Sequence, residues 1–271
     1  MITGNRFIIG QYRPGGEFLH RLDPRTKVIM VAAVMVTALL ATDLSLYAAM
    51  IAILLVLLIS CRLGWGLIFR NLRPVVWFVL FTAGFHLLFS GRNDPEVAFA
   101  LGSLTVSRTA LMLALTFSAR ILIFVLATFV VSLTTSPVAL SEAVVSLLLP
   151  LRWLKAPVYD LGMILFIALR FIPVLADEIE TIRKAQQIRG HGLSGGLRAR
   201  IKSSMALILP VFFSALRRAD DLAVAIDTRG YKSGRPRSSL EPLRFAAADY
   251  AVLAMTLLTS SAFIAAGRMI G

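Results

Sequence analysis

Charged residues and cysteine are both scarce in this sequence of 271 residues. Only 16% of the residues are charged, 58% are hydrophobic, and the mean hydropathy is +0.80. These proportions are too apolar for an ordinary soluble domain of this length. The single cysteine, Cys61, excludes a disulfide bond within the chain. The N-terminal residues lack the apolar core of a signal peptide, so we expect the first apolar segment to direct membrane insertion.

The sequence also lacks the motifs of common nucleotide-binding and metal-dependent enzymes. It has no G-x-x-x-x-G-K-[ST] loop for ATP phosphates, and His20, His86 and His191 do not have metal-ligand spacing. Residues 190–195 match the dinucleotide pattern G-x-G-x-x-G, and residues 192–196 match G-x-S-x-G. Both patterns require a preceding strand, whereas the residues before them favour a helix. We interpret this segment as a turn and expect no cofactor and no metal ion in this chain.

Long apolar segments predict an all-α integral membrane protein. A bilayer core is crossed by about 20 apolar residues in a helix. The sequence predicts about five transmembrane helices, four N-terminal and one C-terminal. Asp23 followed by Pro24 is a favourable start for the first of them, because aspartate caps helix N-termini and proline is tolerated in the first turn. The predicted spans are residues 27–42, 44–61, 74–90, 109–133 and 247–267.

Basic residues exceed acidic ones, 28 against 15, for a net charge of +13. Such a balance could indicate a nucleic-acid-binding protein, whose binding would weaken steeply with added salt. In a membrane chain the same excess usually marks cytoplasmic loops. Residues 61–73 contain three arginines, so the positive-inside rule places that loop and the N-terminus in the cytoplasm.

The basic region after the fourth span sets a constraint on topology. Residues 177–247 carry 13 basic and 7 acidic residues, a net of +6, and belong in the cytoplasm. The apolar residues 138–176 therefore make no net crossing. We expect them to form a hairpin that dips into the membrane, helped by Pro150, Pro157 and Pro173.

The chain is thus divided into four parts. The basic part contains two long amphipathic helices, predicted from Val174 to Arg189 and from about Arg200 to Arg229, passing Pro210. The four parts are an N-terminal membrane domain with four spans (1–134), a membrane-dipping helical hairpin (135–176), a cytoplasmic region of amphipathic helices (177–246) and a C-terminal transmembrane helix (247–271).

Both amphipathic helices are predicted to end at an Arg-Gly pair. Residues 185–190 read AQQIRG and residues 225–230 read AIDTRG. Basic residues favour a helix C-terminus and glycine favours the position after it, so capping alone accounts for either pair. Each arginine, however, follows an alanine four residues earlier, Ala185 or Ala225, in the same cytoplasmic region. The two ends are therefore also candidate contacts for a partner protein.

Arg120 lies near the middle of the fourth predicted span. An arginine there costs about 3 kcal/mol or more without a partner, so we expect it to be a buried polar residue facing the protein interior. Asp160 and Glu142 are both possible partners. An alternative function follows from the same residues: a membrane-embedded enzyme with a buried polar site of Arg120, His86 and Asp160.

Three segments together resemble a known family. They are GQYRPGGEFLHRLDPRTK at residues 10–27, ALRFIPVLADEIETIRKAQQIRG at 168–190 and AIDTRGY at 225–231. The sequence resembles the transmembrane T component of energy-coupling factor (ECF) transporters, the family that includes the CbiQ cobalt-transport proteins. The resemblance extends over nearly the whole chain.

The resemblance implies that the cytoplasmic region is a coupling region. In the family, two coupling helices end in Ala-Arg-Gly motifs, and each arginine inserts into a groove of an ABC-type ATPase subunit. Those arginines correspond to Arg189 and Arg229, followed by Gly190 and Gly230. This sequence departs from the motif with Ile188 and Thr228 where alanine is commonest.

The resemblance also implies the partners. Two cytoplasmic ATPase subunits would bind ATP and Mg²⁺, and a membrane-embedded S component would bind the substrate, a vitamin or a transition-metal ion. The chain itself would be a non-catalytic scaffold in the bilayer of a bacterial or archaeal cell membrane, with no nucleic-acid partner.

Overall fold

A computed structural model of the protein describes residues 18–41, 43–60, 65–90, 97–101, 104–189, 197–234, 243 and 245–270. Nearly all of these residues are helical, which confirms the predicted all-α class. The helices are α1 (Phe18–Arg21), α2 (Pro24–Leu40), α3 (Leu44–Ser60), α4 (Trp65–Phe89), α5 (Arg108–Thr134), α6 (Pro137–Leu148), a 3₁₀ helix (Leu149–Leu154), α7 (Val158–Ile188), α8 (Leu197–Thr228) and α9 (Ala247–Ile270).

A short β-hairpin lies between α4 and α5, where the sequence analysis expects only a connection. Strand β1 (Val97–Leu101) pairs antiparallel with β2 (Leu104–Ser107), and the register shifts between Val97 and Phe99. Both strands contain β-branched residues, and the Gly-Ser dipeptide between them in the sequence is typical of two-residue hairpin connections.

The chain divides into two compact units. Among the described residues, the bundle unit comprises those within 18–136 and 243–270, and the hairpin unit comprises those within 137–234. In the bundle unit, α5 packs against α2, α3 and α4, and α9 packs against α2. Its core is apolar and includes Leu54, Ile123 and Leu126, each almost fully buried.

The first long helix begins as the sequence predicts. Asp23 is the N-cap of α2, its side chain accepts a hydrogen bond from the Arg25 amide at 2.8 Å, and Pro24 occupies the first turn. The carboxylate thereby satisfies one of the amide groups that have no partner within the helix.

The hairpin unit contains α6, α7 and α8. Helix α6 packs against α7, and α7 packs against α8. Gly162 permits a close approach in the first of these pairs, because a Cβ at this position would lie 3.0 Å from the nearer Val145 methyl group. Pro150 lies in the 3₁₀ helix and Pro157 is the N-cap of α7, so both lie where the chain passes from α6 to α7.

The predicted helix start at Val174 is wrong. Helix α7 is continuous from Val158 to Ile188 and contains Pro173. Proline removes one helical hydrogen bond and crowds the carbonyl four residues earlier, which usually breaks or kinks a helix. Here residues on both sides of it, Phe171 and Leu175, line an apolar groove with α8, and this packing accompanies the continuous helix.

Five of the described helices or helical segments are long and apolar enough to cross a membrane, the number that the sequence predicts. These five segments are not the five predicted spans. Helices α2 and α3 are predicted spans but are not among the five, because they have 17 residues each, at the lower end of the usual range of about 17–25. Length and composition alone therefore do not decide which helices cross the membrane. The five segments are Leu72–Phe89, Arg108–Thr134, Pro137–Leu154, Val158–Ile188 and Ala247–Ala265.

Candidate functional site

The second Arg-Gly pair forms a complete helix C-cap. Helix α8 ends at Thr228, and Gly230 has a positive φ of 74°. Residues with a Cβ atom rarely adopt this backbone conformation, whereas glycine adopts it readily. The Gly230 amide donates to the Asp227 carbonyl at 2.8 Å, and the Tyr231 amide donates to the Ile226 carbonyl at 3.2 Å. These two bonds define a Schellman motif. Arg229 is its C-cap residue and is exposed.

The first Arg-Gly pair ends α7 in a comparable way. Arg189 is the C-cap residue, its amide donates to the Ala185 carbonyl at 3.2 Å, and its side chain is exposed. Gly190 lies outside the described residues. The neighbouring Ile188 is 88% exposed, which is unusual for a large apolar side chain. Both Arg189 and Arg229 thus occupy exposed helix ends.

The small residues one turn before each arginine are exposed as well. Ala185 and Ala225 both face solvent in the hairpin unit. The Thr228 hydroxyl, next to Arg229, donates to the Ala225 carbonyl at 3.1 Å. Thr228 therefore turns its hydroxyl back onto its own helix, whereas Ile188 projects an apolar side chain beside Arg189.

Helices α7 and α8 run antiparallel. The Gln186 amide group donates to the Ala206 carbonyl at 3.3 Å, and at the other end the Asp160 carboxylate accepts from the Tyr231 hydroxyl at 2.9 Å. Arg189 and Arg229 therefore lie at opposite ends of the pair. In this register, roughly 26 residues of α8 separate the level of Arg189 from Arg229, which is about 39 Å at ~1.5 Å per residue.

A polar clamp joins the two helices between these ends. Glu178 on α7 accepts a hydrogen bond from the Ser214 hydroxyl on α8. Its other carboxylate oxygen lies 3.1 Å from Arg218 Nη2. The Glu178 side chain is 18% exposed, so this ion pair is better shielded than a typical surface pair. The clamp joins α7 and α8 in the register that places the two arginines at opposite ends.

Asp160 holds the segment that follows the second Arg-Gly pair. One carboxylate oxygen accepts from the Tyr231 hydroxyl at 2.9 Å and from the Gly234 amide at 3.2 Å. The other accepts from the Ser233 hydroxyl at 2.6 Å. This role of Asp160 is not evident from the sequence, because no local motif pairs residues 71 to 74 positions apart. The signal that could have revealed it is the antiparallel pairing of α7 with α8, which places Asp160 beside Tyr231.

Arg120 has partners in the bundle unit. Its Nε donates to the Ala38 carbonyl at 3.2 Å, and its Nη2 donates to the Tyr47 hydroxyl at 2.9 Å. The guanidinium also lies 5.4 Å from the centroid of the Phe117 ring. Arg120 is half-buried, and the partners that the structure describes for it are neutral groups rather than the carboxylates considered from the sequence.

Structural contacts are described for each residue of the alternative enzyme site, and Arg120 and His86 share one of them, the ring of Phe117. His86 Nδ1 lies 2.9 Å from the Ser90 hydroxyl, and its ring stacks on Phe117 with centroids 4.6 Å apart. Asp160 belongs to the hairpin unit and binds residues of that unit. Among the described residues, no three His, Cys, Asp or Glu side chains form a group that could hold a metal ion.

A buried polar network lies at one end of the bundle unit. Asp249, on α9, accepts from the Asp23 amide at 2.8 Å and from the Ala246 amide at 2.8 Å. Lys27 donates its ammonium group to the Thr134 carbonyl at 3.0 Å at the C-terminus of α5. Asp249 and Lys27 are each 1% exposed. The network ties together the ends of α2, α5 and α9.

The sequence matches a known family over most of its length. The profile of CbiQ, the cobalt transport protein family, matches residues 15–240. The chain belongs to the CbiQ/EcfT family. Relatives named energy-coupling factor transporter transmembrane protein EcfT include that of Bacillus subtilis, 34% identical over 94% of this chain and 96% of the relative. Those of Listeria innocua and Brevibacillus brevis are 36% and 37% identical, each over 92% of this chain and 93% and 94% of the relative.

Membership of the CbiQ/EcfT family establishes the general role of the chain. With helices long and apolar enough to cross a membrane, it is a multi-pass cell-membrane protein. It is the transmembrane component of a transporter. The names of the family and of the relatives do not assign a role to individual residues.

Proposed function

We propose that this chain is the T component of an ECF importer, which couples ATP hydrolysis by two ABC-type ATPase subunits to substrate uptake through a membrane-embedded S component. One observation carries the proposal. Arg189 and Arg229 are exposed at opposite ends of one antiparallel helix pair, about 39 Å apart along it. A single partner groove would not accommodate two arginines so far apart, whereas two ATPase subunits would each accept one.

The chemistry of arginine suits such a contact. Its planar guanidinium can donate two parallel hydrogen bonds to a carboxylate, and it keeps its charge at every physiological pH. We assign Arg189 with Gly190, and Arg229 with Gly230, to the two ATPase contacts. Ala185 and Ala225 leave room for the ATPase surface beside each arginine. In this assignment ATP and Mg²⁺ are bound by the ATPases, and this chain holds neither.

The apolar surface of α8 supplies a candidate contact for the S component. Large apolar side chains recur there at spacings of one, three or four residues, which places them along one side of the helix. Their exposure suits a hydrophobic partner, and the S component would bind the vitamin or transition-metal ion that is transported. These exposed residues are Met205, Ile208, Leu209, Phe212, Phe213 and Leu216.

The proposal has a consequence for topology. Asp160 hydrogen-bonds the residues after Arg229, so the N-terminal end of α7 lies beside one coupling arginine. Arg189 lies at the C-terminal end of α7. If both arginines contact cytoplasmic ATPases, both ends of α7 are cytoplasmic, and α7 makes no net crossing despite its apolar composition. If the segment Pro137–Leu154 also makes no net crossing and the four helices before it cross, the N-terminus is cytoplasmic, as the distribution of positive charge predicts.

Charge reversal tests the proposal. We expect the combined substitutions Arg189→Glu and Arg229→Glu to leave the protein inserted but to abolish retention of both ATPases on the tagged chain and ATP-dependent uptake of labelled B vitamins or Co²⁺. Loss of one partner of a buried ion pair typically costs about 3–5 kcal/mol. Arg217→Glu, an exposed arginine on α8, is the matched control and should retain both. Normal assembly and uptake by the double variant would refute the proposed function.

A further inference from the structure

The segment that follows Arg229 is exposed, yet it is tied to a different helix. Tyr231 is half-buried, and Ser233 and Gly234 face solvent. All three donate hydrogen bonds to one carboxylate, that of Asp160, at 2.9, 2.6 and 3.2 Å. Hydrogen bonds to an ionised acceptor are roughly twice as strong as neutral ones. Asp160 is in the first turn of α7, where the helix dipole also favours a negative charge.

These bonds restrict the orientation of the Arg229 helix end. On one side, Arg229 is continuous with α8, and the Schellman motif fixes the turn at Gly230. On the other side, Tyr231, Ser233 and Gly234 are bonded to Asp160 of α7. Helix ends ordinarily fray, and an exposed turn without tertiary contacts samples many conformations. The backbone of Arg229 is therefore confined from both directions.

We propose that Asp160 is a positioning residue that orients Arg229 for its ATPase contact and links that contact to α7. The inference rests on the proposed function, because it presupposes that Arg229 engages an ATPase. Helix α7 then carries one coupling arginine directly, Arg189, and holds the other through Asp160. A displacement of either ATPase would act on the same helix.

A double-mutant cycle tests the positioning role in the full chain assembled with its ATPases. Asp160→Ala should weaken retention of the ATPase at the Arg229 end by roughly tenfold, about the loss of one hydrogen bond to a charged group. Asp160→Asn, which keeps one acceptor oxygen, should fall between wild type and alanine. Asp177→Ala removes an exposed carboxylate from the same helix and should match wild type.

Combination with arginine variants separates positioning from general damage. Asp160→Ala should add little to Arg229→Ala, because the contact it orients is already gone, and should add its full effect to Arg189→Ala. Hydrogen exchange at the Gly234 amide provides an independent readout and should accelerate in Asp160→Ala and not in Asp177→Ala.

The outcomes distinguish the two proposals. If Arg229→Glu has no effect on assembly or uptake, the proposed function fails for that end, whatever Asp160 does. If Arg229→Glu disrupts assembly but Asp160→Ala does not, or if Asp160→Ala and Arg229→Ala are fully additive, the positioning role is refuted. Unchanged Gly234 exchange in Asp160→Ala would also refute it.

Discussion

The two units differ in the exposure of the charged side chains that characterise them. In the bundle unit, Lys27 and Asp249 are almost fully buried, and Arg120 is half-buried against backbone carbonyls and Tyr47. In the hairpin unit, Arg189 and Arg229 are exposed at helix ends. Burying a charge without partners costs several kcal/mol, so the buried groups are bonded within the fold. The two exposed arginines lie at the protein surface, where solvent screens their charge.

Under the proposed function, this difference separates residues that hold the fold from residues that contact the ATPases. Substitution in the buried network should lower stability and thereby reduce every activity together. Substitution at the exposed helix ends should leave stability nearly unchanged and reduce only the interactions with partners. Measuring stability and assembly on the same variants therefore assigns each residue to one group or the other.

Asp249 should give the largest change in stability. Asp249→Ala leaves the buried Asp23 amide and the partly buried Ala246 amide without their acceptor. An unsatisfied buried donor costs about 1–3 kcal/mol, and bonds to a charged group are at the upper end, so we expect a loss of about 3 kcal/mol in the free energy of unfolding. Thermal unfolding of the detergent-solubilised protein would measure it.

The exposed Asp177→Ala is the control for that experiment and should unfold like wild type. Asp249→Asn should be intermediate, because its amide nitrogen cannot accept the second hydrogen bond. A melting temperature for Asp249→Ala equal to that of the control would show that the network contributes nothing to stability.

Tyr47 should give a smaller loss. Its hydroxyl donates toward the Ala41 carbonyl at 2.7 Å and lies 3.1 Å from the Ala38 carbonyl, while it accepts from Arg120 at 2.9 Å. Tyr47→Phe keeps the buried ring and removes only the hydroxyl, for a loss of about 1–2 kcal/mol. Tyr250→Phe, at a tyrosine that is 62% exposed, should be neutral in the same unfolding assay. Equal stability of the two variants would mean that Arg120 does not depend on Tyr47.

The sequence predicts the bundle unit better than the hairpin unit, for a physical reason. Asp23 and Pro24 signal the start of α2 through local capping chemistry, and long apolar segments signal membrane helices through composition. Both signals act within a few turns of the chain. Pro173 is also a local signal, and there it misleads, because packing against α8 accompanies a continuous α7.

The candidate site shows the same limit. The two Arg-Gly ends can be found in the sequence because a C-cap involves only neighbouring residues. Their placement at opposite ends of one helix pair requires the α7–α8 register, and so does the contact between Asp160 and Tyr231. A single sequence does not show which residues so far apart along the chain are in contact. For this reason Asp160 is considered from the sequence as a possible partner of Arg120, whereas in the structure it bonds Tyr231.

The clamp that joins α7 and α8 in this register is partly exposed, so the smallest stability change is expected at Glu178. Glu178→Ala removes the bond from Ser214 and the contact with Arg218 and should lower the free energy of unfolding by only about 1 kcal/mol. Its main effect should be on geometry: without the clamp, the amides of α8 near Ser214 should exchange hydrogen faster. Glu180→Ala, which breaks an exposed pair with Lys184 on the same helix, is the matched control. If both variants exchanged like wild type, the α7–α8 register would be set by apolar packing alone, and the spacing of the two arginines would not depend on the clamp.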